Sequence, residues 1–478
     1  MRIISFIFLI CYINLISGFL KFPERNGPSQ KFVSMANVSS SQEFDDSKVK
    51  LIQTNFDVSY SFRYHFSRSN SPVAPRTDGG YYIAFADKDK YLHVLSYHKS
   101  DKLLEDFNLK EKAYPVDITA TENGFAIYVI EADSSYHSYL SLYDKSYQLV
   151  KKVQIMNNTK DDDKTVDSNL KKQIIRYDEN GKPVYGMRFM YNPDSGKLIY
   201  SGGRIFLIFS HYNYFLENGG YGQTGDTIVT FDKNLNDMDF GLTWGANHSL
   251  IQSVTADENY FWTASLSDSN PQGIKVVYTS KTQFFKSFDE INKKNNLREY
   301  KEINDLAGTI TGYGNGVADG KLGGILFFEK LKTYCLVYAK TPNSSKDNYN
   351  GKNVIYMTTW KFENNAIVNN KTMIVKVFSS NGYIPQLRAG KFGDDKVFIT
   401  YSFTTDSNEQ NYVDIGTIPN FFLIEVTQFK ILKSDEKHNK LLMNTNEDLR
   451  TFDDGVLLWA TANKTKKLHI IKIGPVNY

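Results

Sequence analysis

The chain has 478 residues, of which 41% are hydrophobic and 14% aromatic, so it can bury a large core. Lysine and arginine number 56 and acidic residues 53, which gives a formal net charge of +3. Because the two signs are interspersed and form no basic stripe, we expect no nucleic-acid partner.

The N-terminus has the pattern of a secretory signal peptide. Arg2 precedes about 14 mostly apolar residues, and the small residues Ser17 and Gly18 follow them, which predicts cleavage after Gly18. An uncleaved anchor is the alternative, but the segment is short for a membrane span and contains Asn14. We therefore expect a secreted protein, or one in the lumen of the secretory pathway, with no membrane span after cleavage. Residues 19–50 are expected to form an N-terminal extension.

From residue 79 onward the chain repeats one unit at intervals of about 45 to 80 residues. The unit is a turn rich in Gly, Asp or Asn, an apolar strand, a polar gap and a second apolar strand. Its copies begin at Gly79, Asn123, Gly202, Asp257, Leu322, Gly393 and Asp453. Such repeats predict an all-β fold, a single β-propeller over residues 51–478 with seven four-stranded blades. Six or eight blades stay open, because residues 158–195 and 284–320 are hard to place.

Two apolar strands are assigned to each predicted blade. In chain order they are Tyr81–Ala86 and Leu92–Tyr97, Phe125–Ile130 and Tyr139–Tyr143, Arg204–Ser210 and Thr227–Phe231, Tyr260–Ser265 and Ile274–Tyr278, Ile325–Phe328 and Tyr334–Tyr338, Lys396–Ser402 and Phe421–Val426, Val456–Ala460 and Leu468–Ile473. Little chain remains after Ile473 for an outer strand in the last blade. The alternating segment Phe56–Phe66 is therefore predicted to close the ring by pairing with that blade.

Three polar segments are predicted to be loops on one face of the ring. They read HYNYFLENGGYGQTGD, TWGANHS and SDSNPQG, and binding residues concentrate in loops on rigid scaffolds. Imidazole, carboxylate, amide and indole groups suit a polar ligand such as a sugar, although the same groups can instead cap one another or the backbone. The candidate ligand-binding residues are His211, Asn213, Gln223, Asp226, Trp244, His248 and Asp268.

Signatures of known catalytic classes are missing from the sequence. It contains no Gly-x-Ser-x-Gly elbow, no His-Glu-x-x-His and no phosphate loop, so we assign no catalytic residue and expect no cofactor. The two candidate histidines lie far apart and belong to no paired ligand motif, so no metal site is predicted. A carboxylate pair drawn from separate blades stays open as an enzymatic alternative, with Asp226 and Asp268 as its candidates.

The chain after cleavage would have one cysteine, so no internal disulfide is expected. Cleavage would remove Cys11 and leave Cys335, which lies in a strand pattern and is expected to be a buried apolar residue. Candidate N-glycosylation sequons occur at Asn37, Asn157, Asn247, Asn343, Asn370 and Asn463.

The central stretch, with RIFLIFSHYNYF, GQTGDTIVTFD, WGANHSLIQS and LSDSNPQGI, resembles a group of secreted β-propeller repeat proteins. The resemblance is best over about residues 204–274, and it implies secretion and a propeller fold without supplying an activity. The chain departs from the group's pattern at Gln223, where that pattern has His, at Asn247, where it has Ser, and at Ser267 and Asn270, where it has Gly and Tyr.

The favoured function is a binding scaffold that recognises a glycan or protein ligand through its loop-rich face. A glycoside hydrolase or lyase and a structural coat or matrix component are the alternatives.

Overall fold

The computed structural model divides the chain into two compact units, residues 1–31 and 32–478, and every described residue belongs to the second unit. It describes residues 37–474 except 43–45, 60–70, 134–136, 157–173, 178, 182, 186, 192–195, 216–219, 248–250, 268–272, 283, 285–299, 303–319, 341–352, 379–381, 406–407, 419–421, 427–446 and 463–465. The described residues form an all-β fold, in which the regular elements are strands and one 3-10 helix, Asp46–Lys48.

The first part of the chain forms two N-terminal strands and a long sheet. The N-terminal strands are β1 (Asn37–Gln42) and β2 (Val49–Asp57). A seven-stranded sheet follows in sequence order, called the long sheet below. It contains β3 (Val73–Pro75), β4 (Tyr81–Ala86), β5 (Tyr91–Tyr97), β6 (Leu103–Thr121), β7 (Gly124–Glu131), β8 (Ser138–Asp144) and β9 (Leu149–Met156).

Two sheets come next. Strands β10 (Ile174–Tyr177) and β11 (Pro183–Tyr185) form a two-stranded pair. A five-stranded sheet then has the order β12-β14-β15-β16, with β13 also paired to β14. Its strands are β12 (Met187–Tyr191), β13 (Lys197–Ser201), β14 (Arg204–Phe215), β15 (Gly220–Asp232) and β16 (Asp239–Asn247).

Three sheets complete the second half of the chain, each listed in its chain order. They comprise β17 (Ile251–Ala256), β18 (Tyr260–Ser267), β19 (Gly273–Ser280) and β20 (Tyr300–Glu302); β21 (Gly320–Phe328), β22 (Thr333–Lys340), β23 (Asn353–Glu363) and β24 (Ala366–Phe378); and β25 (Tyr383–Phe392), β26 (Lys396–Thr405), β27 (Asn408–Thr417) and β28 (Phe422–Val426). Strand β1 adds to the last of these as a fifth strand, parallel to β28.

The C-terminal strands join an N-terminal strand in one sheet, called the closing sheet below. Its order is β2-β31-β30-β29, with β29 (Arg450–Thr451), β30 (Leu457–Ala462) and β31 (Lys467–Ile473). Strand β2 pairs antiparallel with β31, from Val49 opposite Ile473 to Asp57 opposite Lys467. An N-terminal strand therefore completes the last sheet.

The five sheets of four or five strands, together with the long sheet, have a β-propeller arrangement. Neighbouring sheets pack through buried apolar clusters. One cluster joins Tyr82 of β4 to Phe125 of β7 within the long sheet, and another joins Leu458 of β30 to Ile83 of β4. Because the closing sheet shares a core with the start of the long sheet, the sheets follow one another around a closed ring.

Strand β6 serves two parts of the long sheet. Its first half pairs with β5 as far as Lys112 opposite Tyr91, and its second half pairs with β7 from Ala113 opposite Glu131. One continuous strand is thus the outer strand of one four-stranded unit and the inner strand of the next.

Four hairpins share one turn in which a residue other than glycine adopts a left-handed backbone. The positions are Lys90, Asp101, Tyr147 and Leu235, with φ between 58° and 69°. In each turn this residue's N–H donates to the carbonyl three residues earlier, and that earlier residue's N–H donates to the carbonyl four residues ahead. Such three-residue loops are a common way to connect antiparallel strands. Glycine-based patterns could not locate these turns.

The predicted strands of the first four repeats and of the last repeat lie within observed strands, apart from Val456. Two predictions of strand order were wrong. Ile325–Phe328 lies in β21, the first strand of its sheet and not a middle one, and the predicted Phe421–Val426 corresponds to β28, with β27 between it and β26. Polar residues in β27 (NEQNYVDIGT) hide that strand in the sequence.

The predicted ring closure was right in kind and wrong in position. The closing strand begins at Val49 and ends at Asp57, so the predicted segment Phe56–Phe66 overlaps it in only two residues. Residues 60–66 lie outside the described part of the chain. The predicted end of the extension, residue 50, falls inside β2. This segment, VKLIQTNFD, belongs to the sheet, since its apolar residues pack into the clusters on both sides of the closing sheet.

Cys335 is fully buried, as predicted, and burial in an apolar environment raises the pKa of its thiol. In the described ranges no helix has the length and apolar character needed to cross a membrane.

Candidate functional site

Four of the predicted ligand-binding residues lie in strands and not in a loop. His211 and Asn213 belong to β14, and Gln223 and Asp226 belong to β15. The two strands pair up to Phe215 opposite Gly220, with residues 216–219 between them outside the described part. The loop prediction was wrong because the aromatic residues of HYNYF favour an extended strand despite their polar neighbours.

The remaining predicted residues lie in or beside the next strand. Trp244 belongs to β16, where its neighbour Thr243 pairs with Asp226. His248 and Asp268 lie outside the described residues. The register thus brings Asp226 and the backbone next to Trp244 together on adjacent strands. Whether these residues bind a ligand stays a prediction.

The glycosylation sequons fall into two groups. Asn37 and Asn247 lie in β1 and β16, and Asn370 is an exposed residue of β24. The sequons at Asn157, Asn343 and Asn463 lie outside the described residues.

Strands β14 and β15 extend past the inner strand of their sheet. Strand β13 pairs only with the first part of β14, where Lys197 lies opposite Ile208 and Ser201 opposite Arg204. Beyond that point β12 pairs with β14 from His211 to Phe215. The hairpin therefore extends beyond the end of β13 at which Lys197 lies. We call the side of the ring where the inner strands begin the upper face.

A small cavity of about 90 Å³ lies between the inner strands. It is lined by β13, β17, β21, β25 and residues 447–450. Because these are the first strands of successive sheets, the cavity lies in the central channel of the ring. Six charged residues at or next to this cavity are called the channel cluster below: Asp117, Lys197, Arg388, Glu447, Asp448 and Arg450.

Asp117 and Arg450 form the most buried pair of the channel cluster. Asp117 is completely buried, and its carboxylate oxygens lie 2.8 and 2.9 Å from Nη2 of Arg450. The backbone N–H groups of Ile118 and Leu198 donate to the same carboxylate at 2.8 and 2.7 Å. A buried charge needs a partner and hydrogen bonds of this kind. Arg450 and Asp117 are 333 positions apart in sequence.

Asp448 extends the pairing to a third strand. Lys197 donates to its Oδ2, and Arg450 Nη2 lies 3.4 Å from the same oxygen. Burial alone raises the pKa of Asp448, but the charges of Lys197 and Arg450 outweigh that effect and hold the pKa below its ordinary value. These contacts connect the closing sheet to β6 and β13.

The far side of the cavity carries more positive charge. Arg388 of β25 donates from Nη1 to the carbonyl of Leu387 at 2.8 Å. Burial lowers the pKa of Arg388, and Asp448 and Glu447 act in the opposite direction. Glu447 is buried and accepts a hydrogen bond from the Thr461 hydroxyl at 2.6 Å.

The channel cluster contains three cations and three carboxylates, and its pairing connects strands that are distant in sequence. A network of paired charges and hydrogen bonds of this kind holds its side chains in place. Among the described residues, no group of three or more histidine, cysteine or acidic side chains is placed to hold a metal ion.

Sequence reasoning missed the channel cluster. Its only signal in the sequence is a charged residue within the segment that forms an inner strand, as in YPVDITAT and PQLRAG. Each such strand precedes one of the repeated apolar strands, so the recurrence of charge at that position could have indicated the channel.

No protein-family model matches the chain, and no curated protein matches it. Solved propeller structures do match. A chain of the mitotic checkpoint complex is 9% identical with a TM-score of 0.43, covering 95% of this chain and 97% of that one. Saccharomyces cerevisiae Sqt1 is 9% identical with a TM-score of 0.37 and coverages of 89% and 100%. A thermostable family-43 glycoside hydrolase is 13% identical with a TM-score of 0.32 and coverages of 59% and 89%.

Proposed function

We propose that this chain is a seven-bladed propeller that acts as a binding scaffold and recognises a glycan or protein ligand through its upper face. The blade count is supported by β6, which divides the long sheet into two four-stranded units at Lys112 and Ala113. With the five smaller sheets this gives seven blades, to which β1 and β12 are additions. Seven buried clusters agree with the same number of interfaces between blades.

The observation that carries the binding proposal is the projection of β14 and β15 past β13. Backbone pairing restricts the main chain of the hairpin, so less conformational entropy is lost on binding than with a free loop. His211, Asn213, Gln223, Asp226 and Trp244 all lie on the strands of this sheet. Amide, imidazole, carboxylate and indole groups together suit polyhydroxylated ligands.

The channel cluster supports the same face. Lys197 lies at the end of β13 next to the projecting part of β14, and its pairing with Asp448 connects that region to the closing sheet. Because this ion pair connects β13 to the closing sheet across the ring, it helps to hold the hairpin in one position relative to the other blades. We do not propose catalysis, and the carbohydrate-active and structural alternatives remain outcomes of the test below.

We further propose that the protein enters the secretory pathway and is glycosylated. The proposal is supported by the signal-peptide pattern of residues 1–18 and by the exposure of Asn370. Asn370→Gln should reduce the mass of the secreted protein by one glycan. An unchanged mass would show that Asn370 is not glycosylated.

The binding proposal is tested by a glycan-array screen of residues 19–478 together with the Trp244→Ala/His248→Ala variant. Selective binding by the wild type that is lost in the variant supports the proposed face. Equal binding by both would overturn the site assignment. If neither protein binds the array and light scattering shows assembly that increases with protein concentration, the structural alternative is favoured. Release of sugar from the array would favour the enzyme.

A matched control removes apolar surface far from the upper-face hairpin. Leu104 and Leu149, on the outer strands β6 and β9, are each 50% exposed. Leu104→Ala/Leu149→Ala should bind as the wild type does. Thermal unfolding of both variants distinguishes loss of the site from loss of the fold.

A further inference from the structure

A groove of about 610 Å³ lies apart from the channel, between the two halves of the long sheet. Its volume falls within the usual range for ligand sites. Eight of its ten lining residues are charged, four lysines and four acids, and the other two are alanines. The lining residues are Lys88, Asp89, Lys90, Glu111, Lys112, Ala113, Glu131, Ala132, Asp133 and Lys152.

The backbone fixes the shape of this groove. Its first wall is the turn between β4 and β5, and its second wall is the chain that follows β7. Ala113 N–H donates to the carbonyl of Lys90 at 3.1 Å, and Ala132 N–H donates to the carbonyl of Lys112 at 3.0 Å. These bonds connect both walls to the middle of β6, so the groove is a built feature of the fold and not a gap between loose loops.

The two walls carry opposite net charge. The first wall has Lys88, Asp89 and Lys90, with one net positive charge, and the second wall has Glu131 and Asp133. Lys112, on the floor of the groove, lies over the Tyr91 ring at 5.2 Å from its centroid, which keeps its charge on the side of the first wall.

Two further contacts fix the remaining charges. Lys152 pairs with Glu111 at 2.9 Å and lies 4.3 Å from the centroid of the Tyr139 ring. His137 Nδ1 lies 3.1 Å from Glu131 Oε2 and holds that carboxylate in place on the second wall. After the Lys152–Glu111 pair is set aside, the first wall is net positive and the second wall is negative.

An extended polypeptide matches such a groove. Successive side chains of an extended chain point to opposite sides, with a period of two residues. A segment in which basic and acidic residues alternate therefore presents all its acids to one wall and all its bases to the other. A segment with the same residues in two blocks presents both signs to each wall, and like charges in contact weaken association.

We propose that this groove is a docking site for a polypeptide segment of alternating basic and acidic residues. The acidic side chains of the segment lie against Lys88 and Lys90, and its basic side chains lie against Glu131 and Asp133. None of these residues belongs to the hairpin or to the channel cluster, so the proposal does not depend on the ligand of the upper-face hairpin.

The test uses two capped, fluorescently labelled octapeptides of identical composition. One alternates lysine and aspartate, and the other has four lysines followed by four aspartates. Fluorescence anisotropy with residues 19–478 at low salt should give a dissociation constant about tenfold lower for the alternating peptide. Because screening weakens contacts between exposed charges, this difference should shrink in 0.5 M salt. Equal affinities at low salt, or no binding of either peptide, would overturn the proposal.

Charge reversal of the walls makes the test specific to this groove. Lys88→Glu/Lys90→Glu should weaken binding of the alternating peptide by about tenfold, and so should Glu131→Lys/Asp133→Lys. The variant with all four substitutions exchanges the walls and should recover affinity to within about threefold of the wild type, because the peptide can shift by one residue. Failure of this variant to bind, when its thermal unfolding matches the wild type, would show that the wall charges do not form the site.

Discussion

Two junctions between neighbouring blades are built in different ways. Inside the long sheet, β6 continues from one four-stranded unit into the next, so the backbone itself holds them together. Between the closing sheet and the start of the long sheet, no strand in the described ranges belongs to both. This second junction, called the seam below, relies on the buried cluster around Leu458 and Ile83 and on ion pairs.

Charged groups connect the closing sheet to the long sheet at two places. Asp101, in the turn between β5 and β6, accepts hydrogen bonds from Lys50 at 2.6 Å, Lys472 at 2.8 Å and the Tyr81 hydroxyl at 3.0 Å. In the channel, Arg450 of β29 pairs with Asp117, which lies in the half of β6 that belongs to the second four-stranded unit, so this contact reaches past the seam. The comparison teaches that where no single strand is shared by two blades, this chain uses specific polar contacts in addition to apolar burial.

Removal of β2 should have the largest effect on the seam. A chain of residues 58–478 lacks Val49, Leu51, Ile52 and Phe56, which pack in the clusters on the two sides of the closing sheet. Their burial contributes on the order of 5 kcal/mol, comparable with the whole stability of many domains. We expect loss of cooperative thermal unfolding, measured by circular dichroism.

The matched control is a chain of residues 46–478, which keeps β2 and lacks β1. It should unfold cooperatively, because β1 only adds a parallel fifth strand to β28. Equal unfolding of the two truncated chains would contradict the assignment of β2 as the closing strand.

Asp117→Ala should have the next largest effect. It leaves Arg450 without its main partner and the Leu198 N–H without an acceptor, and breaking a buried pair in this way costs about 3–5 kcal/mol. Urea denaturation measures the loss. Asp117→Leu/Arg450→Leu should be less destabilising than Asp117→Ala, since it leaves no buried charge unpaired.

An exposed pair gives the contrast for this prediction. Lys330 and Asp394 have side chains that are 72% and 57% exposed, and such pairs contribute about 0–1 kcal/mol. Lys330→Ala should therefore be nearly neutral, and a loss as large as that of Asp117→Ala would argue against the importance of burial.

Acid should weaken the seam through Asp101. Burial alone raises the pKa of Asp101, but the bonds from Lys472, Lys50 and Tyr81 outweigh it and place the pKa below the ordinary value of 3.8. A carboxyl with a lowered folded-state pKa contributes stability above its unfolded-state pKa, and the contribution disappears as pH falls through the folded-state pKa. We expect the wild type to lose roughly 1 kcal/mol more than Asp101→Asn between pH 6 and pH 3, measured by urea denaturation at each pH. Parallel curves for the two proteins would contradict this role.

Lys90→Gly should have the smallest effect and the opposite sign. Lys90 has φ of 69° in an exposed turn at the continuous junction, and a left-handed backbone costs a residue with a side chain roughly 1 kcal/mol. Glycine removes this cost but has more freedom to lose on folding, so we expect a gain of about 0.5 kcal/mol. Lys88→Gly, at a neighbouring position without positive φ, should give no gain, and differential scanning calorimetry compares the two.

The strands that sequence reasoning located best are those with a clear local signal. The prediction Tyr81–Ala86 coincides with β4, because a turn residue precedes six buried apolar residues. The closing strand was misplaced because Val49–Asp57 mixes polar and apolar residues and is covered only partly. Its identity depends on its partner β31, and a partner so far along the chain leaves no local signal.

The same reasoning explains what was missed at the candidate site. The pairing of Asp117 with Arg450 exists only after the ring closes, so no spacing in the sequence reveals it. The extension of β14 depends on pairing with β12, which covers His211 to Phe215. By contrast, the polar character of that segment was visible from the sequence, and its candidate residues do lie beside one another in the sheet.

The closing sheet also sets the time at which the protein can finish folding. Thr54 of β2 donates a hydrogen bond to the carbonyl of Leu468, 414 residues later. Since contacts between distant residues form slowly and a chain emerges from the ribosome with its N-terminus first, β2 has no partner until β31 has been synthesised. Throughout that interval its apolar side chains and its strand edge are open to other chains. Nascent chains that stop before Leu468 should therefore be targets for chaperones, however many blades they already contain.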